Sequence, residues 1–197
     1  KWTIPRSLAL TYNVKGRGPR VVWEALKYLF TDKGLLGITA APLRAFVRTR
    51  EGLEAPNAVI GWVPFLVGEN FKLAKESGIT AFTHILRSES QGNIHVTSAD
   101  AKQPPAIRFN FLTAQLDCDV TLEAMRITRN IMTAPALDGI VTGEITPGVD
   151  MDDDAELLQW VKENAETTYH PVSTCKMGHD PMAVVDDQLR VHGIEGL

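Results

Sequence analysis

Between Val22 and Leu29 the apolar residues recur at helical spacing: Val22, Ala25, Leu26 and Leu29 share one face, and Gly34 follows as a stop. After that the period shortens. Leu43 to Thr49 and Ala58 to Phe65 read as strands, and Ile79 to Ser88 with Ile94 to Ser98 read as a hairpin around Ser90-Gln91-Gly92-Asn93. In Ala106 to Leu112, Ile107, Phe109 and Phe111 alternate with Arg108 and Asn110, which predicts one buried face. The helical period returns from Ala114 to Thr133 with a stripe of Leu116, Val120, Ala124, Ile127 and Ile131, and Pro135 enforces its end. A last helix is expected from Asp153, whose spacing to Glu156 suits an N-terminal cap. It would bury Leu157, Trp160, Val161 and Ala165 and run out at Thr167-Thr168-Tyr169. Glu69 to Ser77 and Pro104-Pro105 read as connectors, and no internal repeat is present. Neighbouring strands beside helices, without βαβ alternation, predict an α+β fold: a mostly antiparallel β-sheet with helices packed on one face.

Composition narrows the class. The 197 residues are 44% hydrophobic and 22% charged, as in an ordinary globular protein with one good core or two small ones. A net charge of -4 without a basic cluster argues against nucleic acid and against an anionic membrane surface as partners. No apolar run approaches the roughly twenty residues a bilayer span needs, and no signal peptide is visible. The chain begins at Lys1, so a targeting segment could precede it. Cys118 and Cys175 are too few for a disulfide framework, which favours a soluble protein in a reducing, cytoplasmic setting.

The chemistry concentrates at His170-Pro171-Val172-Ser173-Thr174-Cys175-Lys176-Met177-Gly178. Pro171 pushes His170 out of the α region, so an imidazole is held in a defined direction at the start of a small-residue turn. Histidine ordinarily titrates near neutrality and can take a proton from a substrate there. The plainer alternative is a histidine that merely ends a helix. Other constellations are weaker. His170, Cys175 and His179 offer no fourth zinc ligand, and Ser173 with His170 lacks a nucleophile elbow. Asp152-Asp153-Asp154 fits a helix start better than a calcium loop. His84 and His95 fall on expected strands, and His192 in a turn. Gly16-Arg17-Gly18-Pro19-Arg20-Val21 has the wrong third position for a dinucleotide fingerprint and reads as a turn into a helix.

The run from His170 to Gly178, then Asp180-Pro181-Met182-Ala183-Val184-Val185-Asp186 and Leu189-Arg190-Val191-His192-Gly193-Ile194-Glu195-Gly196-Leu197, resembles the carboxy-terminal part of the glucose-methanol-choline (GMC) oxidoreductases. Glu89-Ser90-Gln91-Gly92-Asn93-Ile94, Ser98-Ala99-Asp100, Pro104-Pro105-Ala106-Ile107 and Arg44-Ala45-Phe46-Val47-Arg48-Thr49 are similar as well. The bacterial choline-dehydrogenase-like and alcohol-dehydrogenase-like members look nearest. The resemblance implies a carboxy-terminal fragment that lacks the FAD-binding amino-terminal unit. Residues 1–88 would be the amino-terminal part of the substrate-binding domain and 89–197 the GMC carboxy-terminal domain, truncated before its end.

What the resemblance implies about function is an FAD-dependent oxidation of CH–OH groups, alcohol to aldehyde. The sheet's open face would lie over the flavin. His170 would be the proton acceptor, and Tyr169 and Trp62 would line the substrate pocket. The fragment would need the missing FAD-binding portion and would be inactive alone. The partners implied are a small alcohol and that portion, with no nucleic acid and no transmembrane segment. The family usually has glycine at the position of Ser173, a departure that costs stability wherever the backbone φ is positive. A non-catalytic binding or structural module retaining the same fold is the alternative.

Overall fold

The computed structural model describes residues 1–39, 41–68 and 72–197. Its strands are β1 (Trp2–Thr3), β2 (Leu43–Val47), β3 (Ala58–Val63), β4 (Gly78–Ile85), β5 (Asn93–His95), β6 (Ala106–Arg108) and β7 (Gly143–Glu144). The α-helices are α1 (Tyr12–Lys15), α2 (Pro19–Thr31), α3 (Gln115–Met132) and α4 (Asp154–Asn164). The chain forms two compact units, 1–89 with 112–163, and 90–111 with 164–197.

In the larger unit five strands form one sheet in the order β2-β3-β4-β1-β7, with every neighbouring pair antiparallel. The fold is therefore α+β, as the hydrophobic pattern predicts. Leu43 lies opposite Trp62, Val47 opposite Ala58, and Ala58 opposite Ile85. Strand alternation thus puts Ala58, Ile60 and Trp62 on the same side as Val47 and Ile85. That side meets α3: Ala58 packs with Val120 and Ala124, and Val47, Ile85 and Leu116 close round them. Ile60 is fully buried.

The α3 stripe is rotated from the expected one. Thr128 and Met132 are buried, whereas Ile131 is exposed. A threonine can take the buried position because its Oγ1 donates to the Ala124 carbonyl one turn back, at 2.7 Å. Asp117, almost wholly buried in the first turn, receives the Ser88 hydroxyl at 2.7 Å and the Glu89 N–H at 2.9 Å. That clasp fixes the end of β4. The expected hairpin does not form: β4 pairs with β3 and β1, whereas β5 pairs with β6.

Asp153 caps α4 as its spacing predicts, its carboxylate accepting from the N–H groups of Ala155 (2.9 Å) and Glu156 (3.1 Å). Leu157 and Val161 are the buried residues of that helix, while Ala165 lies beyond its end and is exposed. Helix α2 forms where the apolar period predicts a helix. Val22, Leu26 and Leu29 are exposed, and the buried residue is Glu24. The polar group goes inward because its carboxylate accepts the Leu35 N–H at 2.8 Å and so ties the helix to the turn at 35–37. The expected buried face at Ile107, Phe109 and Phe111 is likewise exposed, with Phe109 and Phe111 stacked on each other at 4.8 Å.

Candidate active site

His170 stands in the smaller unit, six residues after α4 ends at Asn164. The approach is a short turn in which the Thr167 hydroxyl accepts the Tyr169 N–H at 3.1 Å. Tyr169 then adopts φ 58°, a left-handed backbone that points its ring into solvent, where it is 82% exposed. His170 and Pro171 follow, both exposed, and Ser173 is left-handed again at φ 74°. The local cost anticipated for a serine at this turn is therefore incurred, since an L side chain disfavours positive φ. The imidazole is thus bracketed by two unusual backbone conformations and restricted by Pro171 from behind.

The segment after the turn is a compact set of reversals that gives it a base. Met177 bridges Val185, and Val185 bridges Val191. The Gly178 N–H donates to the Val185 carbonyl at 2.9 Å, and the Val184 N–H donates to that of Lys176 at 2.8 Å. The Lys176 ammonium meets the Asp180 carboxylate at 2.6 Å, which draws that carboxyl below its ordinary range. Asp186 is held lower still, at about 2, first by the Arg190 guanidinium and then by the Arg190 N–H. His192 shares a hydrogen bond with the Gly178 carbonyl at 3.0 Å, so its ring is part of this scaffold.

Trp62 lies in the larger unit, on the side of β3 that faces α3. Its indole N–H donates to the Met132 sulfur at 3.3 Å. The structure therefore brings Tyr169 and His170 together in one turn and sets Trp62 in a different environment, between sheet and helix. The other side of the same sheet carries Phe46, Gly61, Phe82 and His84. There the Phe82 ring stacks with His84 at 6.2 Å and lies so close over Gly61 that a Cβ at residue 61 would collide with it. Sequence reasoning did not single out these aromatics, although the alternation of β2 and β4 contains them. Their signal was the two-residue period read one strand at a time, without the pairing that makes a face of it.

The Gly16 to Val21 turn connects two helices. The Gly16 N–H closes α1 by donating to the Tyr12 carbonyl at 2.8 Å, and Pro19 opens α2. No strand leads into it, so it lacks the strand–turn–helix setting of a dinucleotide fingerprint. Among the described residues no helix is long and apolar enough to cross a membrane.

The family model of the GMC oxidoreductases matches residues 88–197, more than half of the chain, and the chain belongs to that family. An oxygen-dependent choline dehydrogenase of Pseudomonas aeruginosa (strain UCBPP-PA14) is 42% identical over 172 residues, which cover 87% of this chain and 31% of that protein. One of Yersinia pestis (strain Pestoides F) is 40% identical over 185 residues, covering 91% and 33%. The chain thus spans about a third of the length of the curated relatives it matches. Among solved structures, pyridoxine 4-oxidase from Mesorbium loti superposes with a TM-score of 0.68 at 25% identity, over 77% of this chain and 30% of the other. Formate oxidase gives a TM-score of 0.76 at 22% identity over 91% and 36%, a likeness of fold.

Proposed function

We propose that this chain is the substrate-binding and proton-accepting portion of an FAD-dependent oxidoreductase acting on CH–OH groups, with small alcohols of the choline type as substrates. Residues 1–88 would be the amino-terminal part of its substrate-binding domain and 89–197 the GMC carboxy-terminal domain. The observation that carries the reading is His170, an exposed imidazole held between left-handed Tyr169 and Ser173 within the matched family segment.

The donor set suits a flavin partner in one respect and not in another. A base presented to solvent fits the reacting end of such a cofactor, whereas the Gly16 to Val21 turn makes no cradle for its pyrophosphate. FAD, when bound, supplies the acceptor for hydride. The work of this chain is to place the alcohol and to move a proton. The His170 imidazole takes the hydroxyl hydrogen at a ring nitrogen, leaving the oxygen lone pair to form the carbonyl. Tyr169, adjacent and exposed, supplies an apolar wall with a polar tip for the same alcohol. Trp62 remains the second pocket-lining candidate, its ring held by the hydrogen bond from its N–H to Met132.

The test is turnover of the flavin-loaded oxidoreductase that contains this chain, followed by reduction of a dye. His170→Ala should lower kcat by roughly 10²–10⁴-fold while the flavin spectrum stays unchanged. Near-normal turnover in that variant refutes the base assignment.

A further inference from the structure

A second histidine closes the segment behind the His170 turn. Three short stretches lie side by side there, 176–178, 184–185 and 191–192, with Met177 bridging Val185 and Val185 bridging Val191. The stretch 184–185 is thus the middle one. His192 holds both of its companions: its N–H donates to the Val184 carbonyl at 3.0 Å, and its ring Nε2 lies 3.0 Å from the Gly178 carbonyl. A carbonyl only accepts, so that Nε2 carries a hydrogen and donates it. The Gly178 N–H is already engaged with the Val185 carbonyl at 2.9 Å. His192 therefore completes the fastening of Gly178, the last residue of the run that begins at His170. A neighbouring reversal delivers the ring. The Asp186 carboxylate accepts the N–H groups of Gln188 (2.9 Å) and Arg190 (3.0 Å) and holds the Arg190 guanidinium at 2.8 Å, which turns the chain back so that 191–192 meets 184–185.

The backbone round His170 is what such a fastening serves. Tyr169 and Ser173 are left-handed, at φ 58° and 74°, on either side of the imidazole. Such conformations persist only where the surrounding structure imposes them. Upstream the constraint is the Thr167 hydroxyl, which accepts the Tyr169 N–H at 3.1 Å. Downstream it is the fastened end at Gly178, to which Ser173 is joined through Thr174, Cys175, Lys176 and Met177. Releasing either end lets the stretch between them relax toward ordinary backbone, and the direction of the imidazole changes with it. A base displaced by about 1 Å loses rate while keeping its chemistry. All of these contacts lie within residues 164–197, inside the smaller unit.

We propose that His192 is a positioning residue for His170, its Nε2–H fixing Gly178 and through it the direction of the imidazole; the inference rests on His170 being the base. The experiment is steady-state turnover of the flavin-loaded oxidoreductase that contains this chain, carrying His192→Ala, His192→Gln or His192→Asn, and His192→Ala combined with His170→Ala. His192→Ala should lower kcat roughly three- to tenfold, the rate equivalent of one hydrogen bond, with KM within about twofold and the flavin spectrum unchanged. Glutamine carries an amide N–H at nearly the reach of Nε2 and should restore most of the loss, whereas asparagine is too short and should behave as alanine. In the His170→Ala background, His192→Ala should change turnover less than about twofold, because the residue it positions is gone. The inference is overturned by full turnover in His192→Ala, by a glutamine variant no better than alanine, or by an equal loss with and without His170. Should the alanine variant shed its flavin, the glutamine and asparagine variants carry the same comparison. Near-normal turnover in His170→Ala alone removes the base reading and this inference with it. An inactive His170→Ala beside a fully active His192→Ala overturns the positioning alone.

Discussion

Replacing Asp117 with alanine removes the acceptor that fastens the end of β4 to the start of α3. The carboxylate receives two charge-assisted hydrogen bonds, from the Ser88 hydroxyl at 2.7 Å and the Glu89 N–H at 2.9 Å, at a site only 1% exposed. Bonds to a charged acceptor contribute about 1.5–3 kcal/mol each, so the variant should lose roughly 3–6 kcal/mol. For a protein of this size that is a fall in Tm of about 6–24 °C. Asp117→Asn keeps one acceptor oxygen but turns an amide toward the second donor, so it should fall between wild type and alanine. Thermal melts followed by circular dichroism give the ranking, and amide exchange at Glu89 should accelerate in step with it. A double-mutant cycle with Ser88→Ala should return a coupling of about 1 kcal/mol or more. An Asp117→Ala protein that melts within about 2 °C of wild type would show that water satisfies both donors as well as the carboxylate does.

Gly61→Ala should destabilise the sheet by about 1–3 kcal/mol, because the new methyl occupies space held by the Phe82 ring; chemical denaturation measures it, and a neutral result would mean that the ring swings aside without cost. Ser173→Gly relieves a left-handed serine, worth about 1–2 kcal/mol, but gives the unfolded chain more freedom, worth about 0.4–1 kcal/mol. Its Tm should therefore stay level or rise slightly, whereas Ser173→Val should lower it; a clear fall for glycine would assign the hydroxyl a role. Asp186 has a folded-state pKa of about 2, depressed by Arg190, so the stability it contributes is complete above the ordinary carboxylate range near 4 and is lost as pH falls toward 2. NMR titration of the 176–192 segment should show that loosening in this window and none between pH 5 and 7, and Arg190→Gln should move it upward in pH.

Much of the fold was legible because short-range periodicity survives into the structure. The alternation in β2 and β3, the long helix after Ala114 and the Asp153 cap all stand where local chemistry puts them. Pairing was harder to read, since nothing in Ile79 to Ser88 says that its partners are the distant β3 and β1 rather than the nearby Ile94 segment. Which face of α2 is buried was not legible for a related reason. A hydrophobic stripe announces that a face is to be covered, not that this chain covers it, and the inward Glu24 makes sense only once Leu35 is seen to donate to it. In α3 the buried Thr128 depends on a back-bond that periodicity does not count. His170 and Tyr169 were visible in a family-like run of residues. The sheet face that Phe46 shares with Phe82 is legible only from the register of three strands.

The smaller unit is assembled from 90–111 and 164–197, with 112–163 belonging elsewhere. On a ribosome its first half emerges well before its second. At about 5–20 residues per second the wait is on the order of 3–10 s. During that interval the β5–β6 ribbon, with Ile107, Phe109 and Phe111 exposed as they are in the folded chain, has no companion from its own unit. His170 belongs to the second half and arrives only afterwards, so the ribbon is made well before the residue it shares a unit with.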